Sequence, residues 1–359
     1  MKTEMKKVLL LCLSALLLSG ALLTGCGSAG GEAAANTSST ADTTSADGSS
    51  TDELTKLKLQ TVWLPQGQFM GYYVAQAKGY YADEGIDLEI IPGSSDISPE
   101  DQVENGVVDL GVAFYTDLLT YQEAGYDMVN VAQIFQQSPL RLIAKKGRGI
   151  TTGADLAGKK VGNWFGGQQY ELYALCGKYG IDRETGVDWI QQDFTMDAFY
   201  NDELDAASVM VYNEYHLVLE SGMAESDFTV IDMNEEGIAM LEDCLFVKGD
   251  WAEANHDLLV SFLRATIKGW QYACENPEEA GQICWDAGQS VSLEHQISMC
   301  QEVARCVAPE GFDTAKIGYL DPEALQQTID LGVQNSLISA AIPIDDSVDE
   351  TYWEEATAG

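Results

Sequence analysis

The chain has 359 residues, enough for two ordinary domains, and its 46% hydrophobic content is sufficient for packed cores. Asp and Glu number 57 against 19 Lys and Arg, which gives a formal net charge of −38 at pH 7. Such an acidic surface repels phosphate backbones, so we exclude nucleic acid as a partner. The three histidines, His216, His256 and His295, lack the spacing of a metal site, and we expect neither a metal nor another cofactor.

Residues 1–25 predict a cleaved signal peptide. Lys2, Lys6 and Lys7 precede an apolar run over 8–23, which is shorter than the roughly 20 residues of a membrane-spanning helix. The run ends in Leu-Thr-Gly-Cys, which resembles a bacterial lipobox. The resemblance implies that Cys26 is lipidated and that the protein is anchored at the extracytoplasmic face of the bacterial cell membrane.

Residues 26–55 are mainly Gly, Ala, Ser, Thr and acidic residues without an aromatic ring, a composition that predicts a flexible tether. Six cysteines follow the tether, and none belongs to a Cys-x-x-Cys pair. Disulfides and buried free thiols both stay open for this set, which consists of Cys176, Cys244, Cys274, Cys284, Cys300 and Cys306.

From residue 57 the hydrophobic pattern alternates between strands and helices. The first set has predicted strands at 57–62, 86–91, 108–113, 128–135 and 142–146, with helices at 71–82, 99–105 and 116–124. The second set has strands at 159–164, 187–192, 206–212, 227–232 and 244–249, with helices at 167–179 and from 214. Helices alone follow, at 251–274, 277–287, 293–306 and 322–335.

This alternation predicts an α/β protein with parallel sheets covered by helices on both faces. We expect a monomeric body of two lobes, with a ligand cleft between them at the carboxyl ends of strands. The predicted boundaries are 56–146 plus 249–345 for lobe 1, 147–248 for lobe 2, and 346–359 for an acidic tail.

Four stretches carry a family resemblance: WLPQGQFMGYYVAQAKGYYADEGIDLEI at 63–90, ENGVVDLGV at 104–112, ADLAGKKVG at 154–162 and YNE at 212–214. They resemble bacterial solute-binding proteins of the thiamine-pyrimidine-precursor, sulfonate and nitrate group. The resemblance implies a two-lobed periplasmic-binding-protein fold of type II, with two interlobe crossovers and a helical C-terminal part. It also implies a binding protein without catalytic residues that serves an ABC permease and its ATPase.

The candidate ligand-binding residues follow predicted strands or open the next helix. Trp63 and Trp164 offer rings, the two glutamines offer amides, and Gly166 lets the backbone approach a ligand. Of Tyr72 and Tyr73, one should face the cleft and the other the core. The full set is Trp63, Gln66, Gln68, Phe69, Tyr72, Tyr115, Thr116, Asn163, Trp164, Gly166, Asn213 and Glu214.

Each candidate has a structural alternative: a core ring for Trp63, a helix cap for Thr116 and a solvated helix start for Glu214. As a ligand group, the Glu214 carboxylate could accept two parallel N–H bonds from an amidine-like ring edge. Such a group disfavours nitrate and sulfonate, so the sequence favours a small aromatic nitrogen heterocycle of the thiamine-pyrimidine-precursor type.

Riboflavin is the second candidate ligand, because pyrimidine-binding relatives commonly carry His where this chain has Phe69. Two other classes of function are a surface receptor without transport and an enzyme resembling the eukaryotic thiamine-pyrimidine synthase. In that enzyme a His is a reactant, and Phe69 stands at the corresponding position here.

Overall fold

A computed structural model describes residues 54–358 of the chain. The predicted signal peptide, Cys26 and nearly all of the predicted tether lie outside the described residues. Thr51–Gly359 forms one compact unit. Among the described helices, none is long and apolar enough to cross a membrane.

Residues 54–358 contain ten β-strands, close to the predicted positions. They are β1 (Thr55–Gln60), β2 (Ile86–Ile91), β3 (Leu110–Ala113), β4 (Met128–Gln133), β5 (Leu140–Lys145), β6 (Lys160–Asn163), β7 (Asp188–Gln191), β8 (Ala207–Met210), β9 (Phe228–Asp232) and β10 (Cys244–Lys248). β3, β5 and β8 are buried along nearly their whole length. β3 has no polar side chain, as expected for a strand covered on both faces.

The described part of the chain also contains fourteen α-helices. They are α1 (Met70–Ala77), α2 (Tyr80–Asp83), α3 (Pro99–Glu104), α4 (Tyr115–Glu123), α5 (Gln169–Lys178), α6 (Asp197–Tyr200), α7 (Glu214–Glu220), α8 (Gly249–Ala254), α9 (His256–Glu275), α10 (Pro277–Ala287), α11 (Leu293–Val307), α12 (Pro322–Gln334), α13 (Ile344–Ser347) and α14 (Thr351–Thr357). The helix predicted over 71–82 is two helices, because Gly79 adopts a φ of 76° between α1 and α2.

The strands form one sheet of five and a second group of five. The first sheet has the order β2-β1-β3-β10-β4. The second group consists of the sheet β8-β5-β9 and the pair β6-β7. An isolated bridge between Val161 and Ala206 connects the pair to the sheet. The chain passes from the first sheet to the second group between β4 and β5, and returns between β9 and β10.

Two strands lie on the other side of the predicted boundaries. The prediction puts β5 in lobe 1, but it pairs with β8 and β9; it puts β10 in lobe 2, but this strand pairs with β3 and β4. The prediction of parallel sheets is confirmed for the pairs β1-β2, β1-β3 and β6-β7, but β5 and β10 run antiparallel to both of their neighbours. Hydrophobic alternation identifies a strand, but it does not specify the strand's partner or direction.

The core beneath the first sheet is built around the packing of α1 on α9. Trp270 of α9 is fully buried and meets the ring of Tyr72 edge-on, with centroids 5.5 Å apart. Gly71 lies directly under Trp270, where a Cβ would come within 2.1 Å of the indole ring. A Cβ on Gly269 of α9 would lie 2.4 Å from the Gly71 carbonyl oxygen, so the close approach of the two helices requires glycine at both positions.

The C-terminal residues, predicted as an acidic tail, pack against the body. In α14, Tyr352 is buried, and the indole Nε1 of Trp353 donates a hydrogen bond to the Ile317 carbonyl at 2.9 Å. The acidic side chains of this segment cover its outer face, and its aromatic residues pack inward. The six cysteines that follow the tether are all free thiols in the structure.

Candidate ligand-binding cleft

A cleft of about 700 Å³ opens where loops from the first sheet and the second group of strands meet. Its walls come from the segments that follow β1, β2, β3, β6, β7 and β8. Seven of the twelve candidate residues line it: Trp63, Gln66, Gln68, Trp164, Gly166, Asn213 and Glu214. Their contact with a ligand stays a prediction.

The loop after β1 contributes two buried amides that bond to each other. Gln66 donates Nε2–H to Gln68 Oε1 at 2.8 Å, and Gln68 donates Nε2–H to Asp243 Oδ1 at 2.9 Å. Asp243 has a φ of 53° and is fully buried, and this burial raises its carboxyl pKa to about 8. The segment that leads into β10 thus fixes the orientation of the cleft glutamines.

Aromatic rings reach the cleft from both sides. Trp63 follows β1 and Phe194 follows β7, and their ring centroids lie 4.6 Å apart at an interplanar angle of 44°. Trp164, after β6, donates its Nε1–H to the Asp193 carbonyl at 2.9 Å. Phe194 is 55% exposed. Such exposure is unusual for a phenyl ring and is expected at a surface that binds a ligand.

The turn between β6 and α5 has a backbone that only particular residues tolerate. Phe165, Gly166 and Gly167 have φ values of 58°, 108° and 108° in succession. A Cβ on Gly167 would also lie 2.9 Å from Asp117 Oδ1, so the close approach of these two segments requires glycine. Phe165 is a strained non-glycine residue, and such strain is concentrated at functional sites.

Glu214 opens α7 and is only 4% exposed, so the alternative of a solvated helix start is wrong. Its Oε2 accepts a hydrogen bond from the Met210 amide at 3.0 Å, and its Oε1 accepts one from Asn213 Nδ2 at 2.9 Å. Burial raises the pKa of this carboxyl to about 7. Each carboxylate oxygen has a second acceptor site, so Glu214 can still accept bonds from a ligand.

A buried histidine supports Glu214 from the C-terminal helices. His295 of α11 is 1% exposed, and its Nε2 lies 3.0 Å from Asn213 Oδ1. Because Asn213 donates its amide hydrogen to Glu214, its Oδ1 is an acceptor and His295 Nε2 carries a proton. His295 Nδ1 lies 2.9 Å from Glu220 Oε1. No spacing in the sequence signals this contact between residues 82 positions apart.

Asp117 provides a second carboxyl group in the cleft lining. It lies in the first turn of α4, on the side opposite Glu214. Burial and, secondarily, Glu100 raise its pKa well above the ordinary range, and no hydrogen bond from a described residue opposes that shift. Helix position favours the charged form here, but desolvation opposes it more strongly.

Sequence reasoning missed several lining residues besides Asp117. Trp164 was selected as a ring at the end of a predicted strand. Aromatic residues at or just after the end of a predicted strand include the missed ones, so applying this rule to every strand would have found them. The aromatic lining residues missed are Phe114, Phe165, Phe194 and Tyr212.

Phe69 and Tyr72 were predicted as ligand-binding residues, but neither lines the cleft. Phe69 is fully buried, and Tyr72 packs against Trp270. Tyr73 is also buried, so the expectation that one of the two tyrosines faces the cleft is wrong. Here α1 follows the loop immediately, and its turn directs these side chains into the core toward α9 and α10.

Tyr115, Thr116 and Asn163 also lie away from the cleft lining. The Tyr115 hydroxyl bonds to Ser347 Oγ at 2.7 Å, and Thr116 is buried beside it on α4. Asn163 Oδ1 accepts the Phe165 amide at 3.0 Å, so its side chain shapes the strained turn from below. Each of these residues is adjacent in sequence to a lining residue: Phe114, Asp117 or Trp164.

The cleft lining contains acids but no base. Its titratable acids are Asp117, Asp193 and Glu214, and no Lys, Arg or His belongs to the lining described between residues 54 and 358. Over the same range, no group of three or more His, Cys, Asp or Glu side chains is arranged to hold a metal ion.

Comparison with known proteins identifies three informative relatives. The 4-amino-5-hydroxymethyl-2-methylpyrimidine phosphate synthase of Legionella pneumophila is 29% identical over 216 residues, 60% of this chain and 68% of that protein. The formylaminopyrimidine-binding protein of Halalkalibacterium halodurans is 24% identical over 235 residues, 64% and 69%. The riboflavin-binding protein RibY of Chloroflexus aurantiacus is 27% identical over 322 residues, 85% and 87%.

Solved structures establish the fold. The aliphatic sulphonate-binding protein SsuA of Escherichia coli has a TM-score of 0.64 at 17% identity, with 82% of this chain and 92% of that one covered. The nitrate-binding protein NrtA of Synechocystis has a TM-score of 0.60 at 16% identity, with 85% and 89% covered. The predicted α/β fold of the type II periplasmic binding proteins is confirmed. The profile of the NMT1/THI5-like family matches residues 66–280, more than half of the sequence, and the chain belongs to that family.

Proposed function

We propose that this protein is the extracytoplasmic substrate-binding component of an ABC importer and that it captures a small aromatic nitrogen heterocycle of the thiamine-pyrimidine-precursor type. The observation that carries the proposal is Glu214, a buried carboxyl group in a cleft lined by aromatic rings. The formylaminopyrimidine-binding relative supports both the role and the ligand class.

The chemistry of the cleft suits this ligand class. The Trp63, Phe194 and Trp164 rings provide faces for stacking, at about 1–3 kcal/mol for each ring judged from nucleobases. Glu214 accepts hydrogen bonds from an amino-substituted ring edge. A ligand that contacts loops on both sides of the cleft stabilises the closed form, and its differential affinity for that form sets the population shift.

A flavin is the second candidate ligand, and two observations favour it. The RibY match extends over 85% of this chain, beyond the family-matched range and into the C-terminal helices. The cleft volume of about 700 Å³ also lies in the middle of the usual range for ligand pockets, roughly 300–1,000 Å³, so its size suits a multi-ring ligand.

We favour binding over catalysis, although several relatives are named as synthases. The reactive His implied for the synthase has Phe69 at its position, and Phe69 is buried in the core. The proposal therefore gives the cleft no catalytic residue.

A ligand screen on residues 51–359, the compact unit, tests the proposal. Thermal shift and intrinsic fluorescence should be measured with hydroxymethyl- and formylaminopyrimidines, thiamine, riboflavin, taurine and nitrate. We expect a stabilising heterocycle to quench Trp63 and Trp164 emission, and Trp164→Phe to reduce that quenching. Stabilisation by taurine or nitrate alone would refute the ligand class, and binding without any fluorescence change would refute the placement.

The lipobox at 23–26 supports a further part of the proposal, that the protein is held at the membrane by lipid on Cys26. We expect Cys26→Ser to move the protein from the membrane fraction to the soluble fraction of its native host, because acyl chains supply the anchoring free energy. Cys12→Ser is the matched control and should leave the protein at the membrane. Membrane association of the Cys26→Ser protein would instead support an uncleaved anchor.

A further inference from the structure

We infer that the cleft selects ligands that carry a positive charge, so that the bound heterocycle is an aromatic cation held between carboxylates on opposite walls. This inference rests on the proposed function and adds the charge of the ligand to it. The chemical class comprises quaternised ring nitrogens, such as thiazolium or pyridinium, and protonated amidine-like rings.

The first observation is the placement of two acids without a base. Asp117 projects from α4 after β3, and Glu214 from α7 after β8, so a ligand between them meets a carboxyl group on each side. Among the described residues that line the cleft, none is cationic. An anionic ligand would therefore be desolvated against like charge with no compensating partner.

More acids lie behind the wall that contains Asp117. Glu100, Glu242 and Asp243 are 3%, 5% and 1% exposed. Two buried bases of the described chain lie outside the lining, and each faces an acid that is also outside it: Arg141 donates its Nε–H to Asp232 at 2.8 Å, and His295 Nδ1 lies 2.9 Å from Glu220 Oε1. Glu242 Oε2 and Asp243 Oδ2 are buried without a hydrogen-bond partner among residues 54–358. Whenever these buried carboxyl groups ionise, they add negative potential to the cleft.

The aromatic lining completes a site for a cation. The faces of aromatic rings attract a positive charge electrostatically, most strongly when water is excluded. Trp63 and Phe194 meet at a tilt across the cleft, and Trp164 is held nearby through Asp193. Burial raises the pKa of both Asp117 and Glu214, so each carboxylate is costly while it faces no cation. A cationic ligand relieves more of that cost than a neutral hydrogen-bond donor does.

The test compares three ligands built on one ring: quinoline, N-methylquinolinium and quinoline-4-carboxylate, measured by calorimetry with the purified protein at about pH 7.5, where free quinoline is neutral. We expect N-methylquinolinium to bind at least about tenfold more tightly than neutral quinoline, and the carboxylate not to bind. Asp117→Asn and Glu214→Gln should each reduce the preference for the cation severalfold. Glu310→Gln, which removes an exposed charge elsewhere, should leave it unchanged.

Equal affinity for quinoline and N-methylquinolinium would overturn the inference and leave the proposed function intact. If Glu310→Gln reduces the preference for the cation as much as Asp117→Asn and Glu214→Gln do, the inference is also overturned. The preference would then come from the net charge of the protein. If none of the three quinoline compounds binds, and no heterocycle in the ligand screen binds either, both proposals are overturned.

Discussion

Gly71→Ala should lower the free energy of unfolding by about 3 kcal/mol, the upper part of the range for overpacked cores. The added Cβ would lie 2.1 Å from two atoms of the Trp270 indole. That ring cannot move away easily, since it is fully buried and Tyr72 packs against it. Urea denaturation followed by circular dichroism measures the change as a shift of the midpoint.

Gly177→Ala is the matched control, because it makes the same change inside α5. There the nearest atom to the new Cβ is Asn335 Oδ1, at the ordinary distance of 3.8 Å. Helix propensity then acts alone, and we expect Gly177→Ala to be neutral or to stabilise the protein by up to ~1 kcal/mol. Equal midpoints for the two variants would show that α1 and α9 separate at little cost.

The order of helices and strands could be predicted because each element has a strong local signature. Ser98 caps α3 by accepting the Asp101 amide at 3.1 Å, and Pro99 follows it at the first helical position. Ser292 caps α11 in the same way through the His295 amide. Signals of this kind act within a few residues, so they are visible in the sequence.

Strand partners and side-chain directions could not be predicted in this way. The pairing of β10 with β3 joins residues more than a hundred positions apart, and local hydrophobicity contains no information on it. Trp63 and Tyr72 both follow β1 in the sequence, and that position predicts a place near the cleft equally well for each of them. Only the packing of α1 on α9 decides that Tyr72 turns inward, whereas Trp63 stays in the loop.

Glu214→Gln should weaken binding of an amino-substituted heterocycle by about 10- to 100-fold, because a hydrogen bond to a charged group contributes about 1.5–3 kcal/mol. The substitution keeps the size of the side chain and one acceptor oxygen, so the Met210 amide can stay bonded. Calorimetric titration of the stabilising ligand from the screen measures the loss. Glu310→Gln, at an exposed site, should bind the ligand as wild type does.

The pH dependence of stability separates a binding role for Glu214 from a structural one. Its folded-state pKa of about 7 exceeds the ordinary value for glutamate of about 4.3, so the folded protein holds this proton more tightly. The resulting stabilisation is complete below the ordinary pKa and is lost as the pH rises through about 7. The amide introduced by Glu214→Gln cannot titrate, so between about pH 5 and pH 8 wild type should lose stability relative to the variant. Weaker binding together with this relative gain would identify Glu214 as a ligand group. A variant that loses affinity and stability in parallel at every pH would show that Glu214 only holds α7 in place.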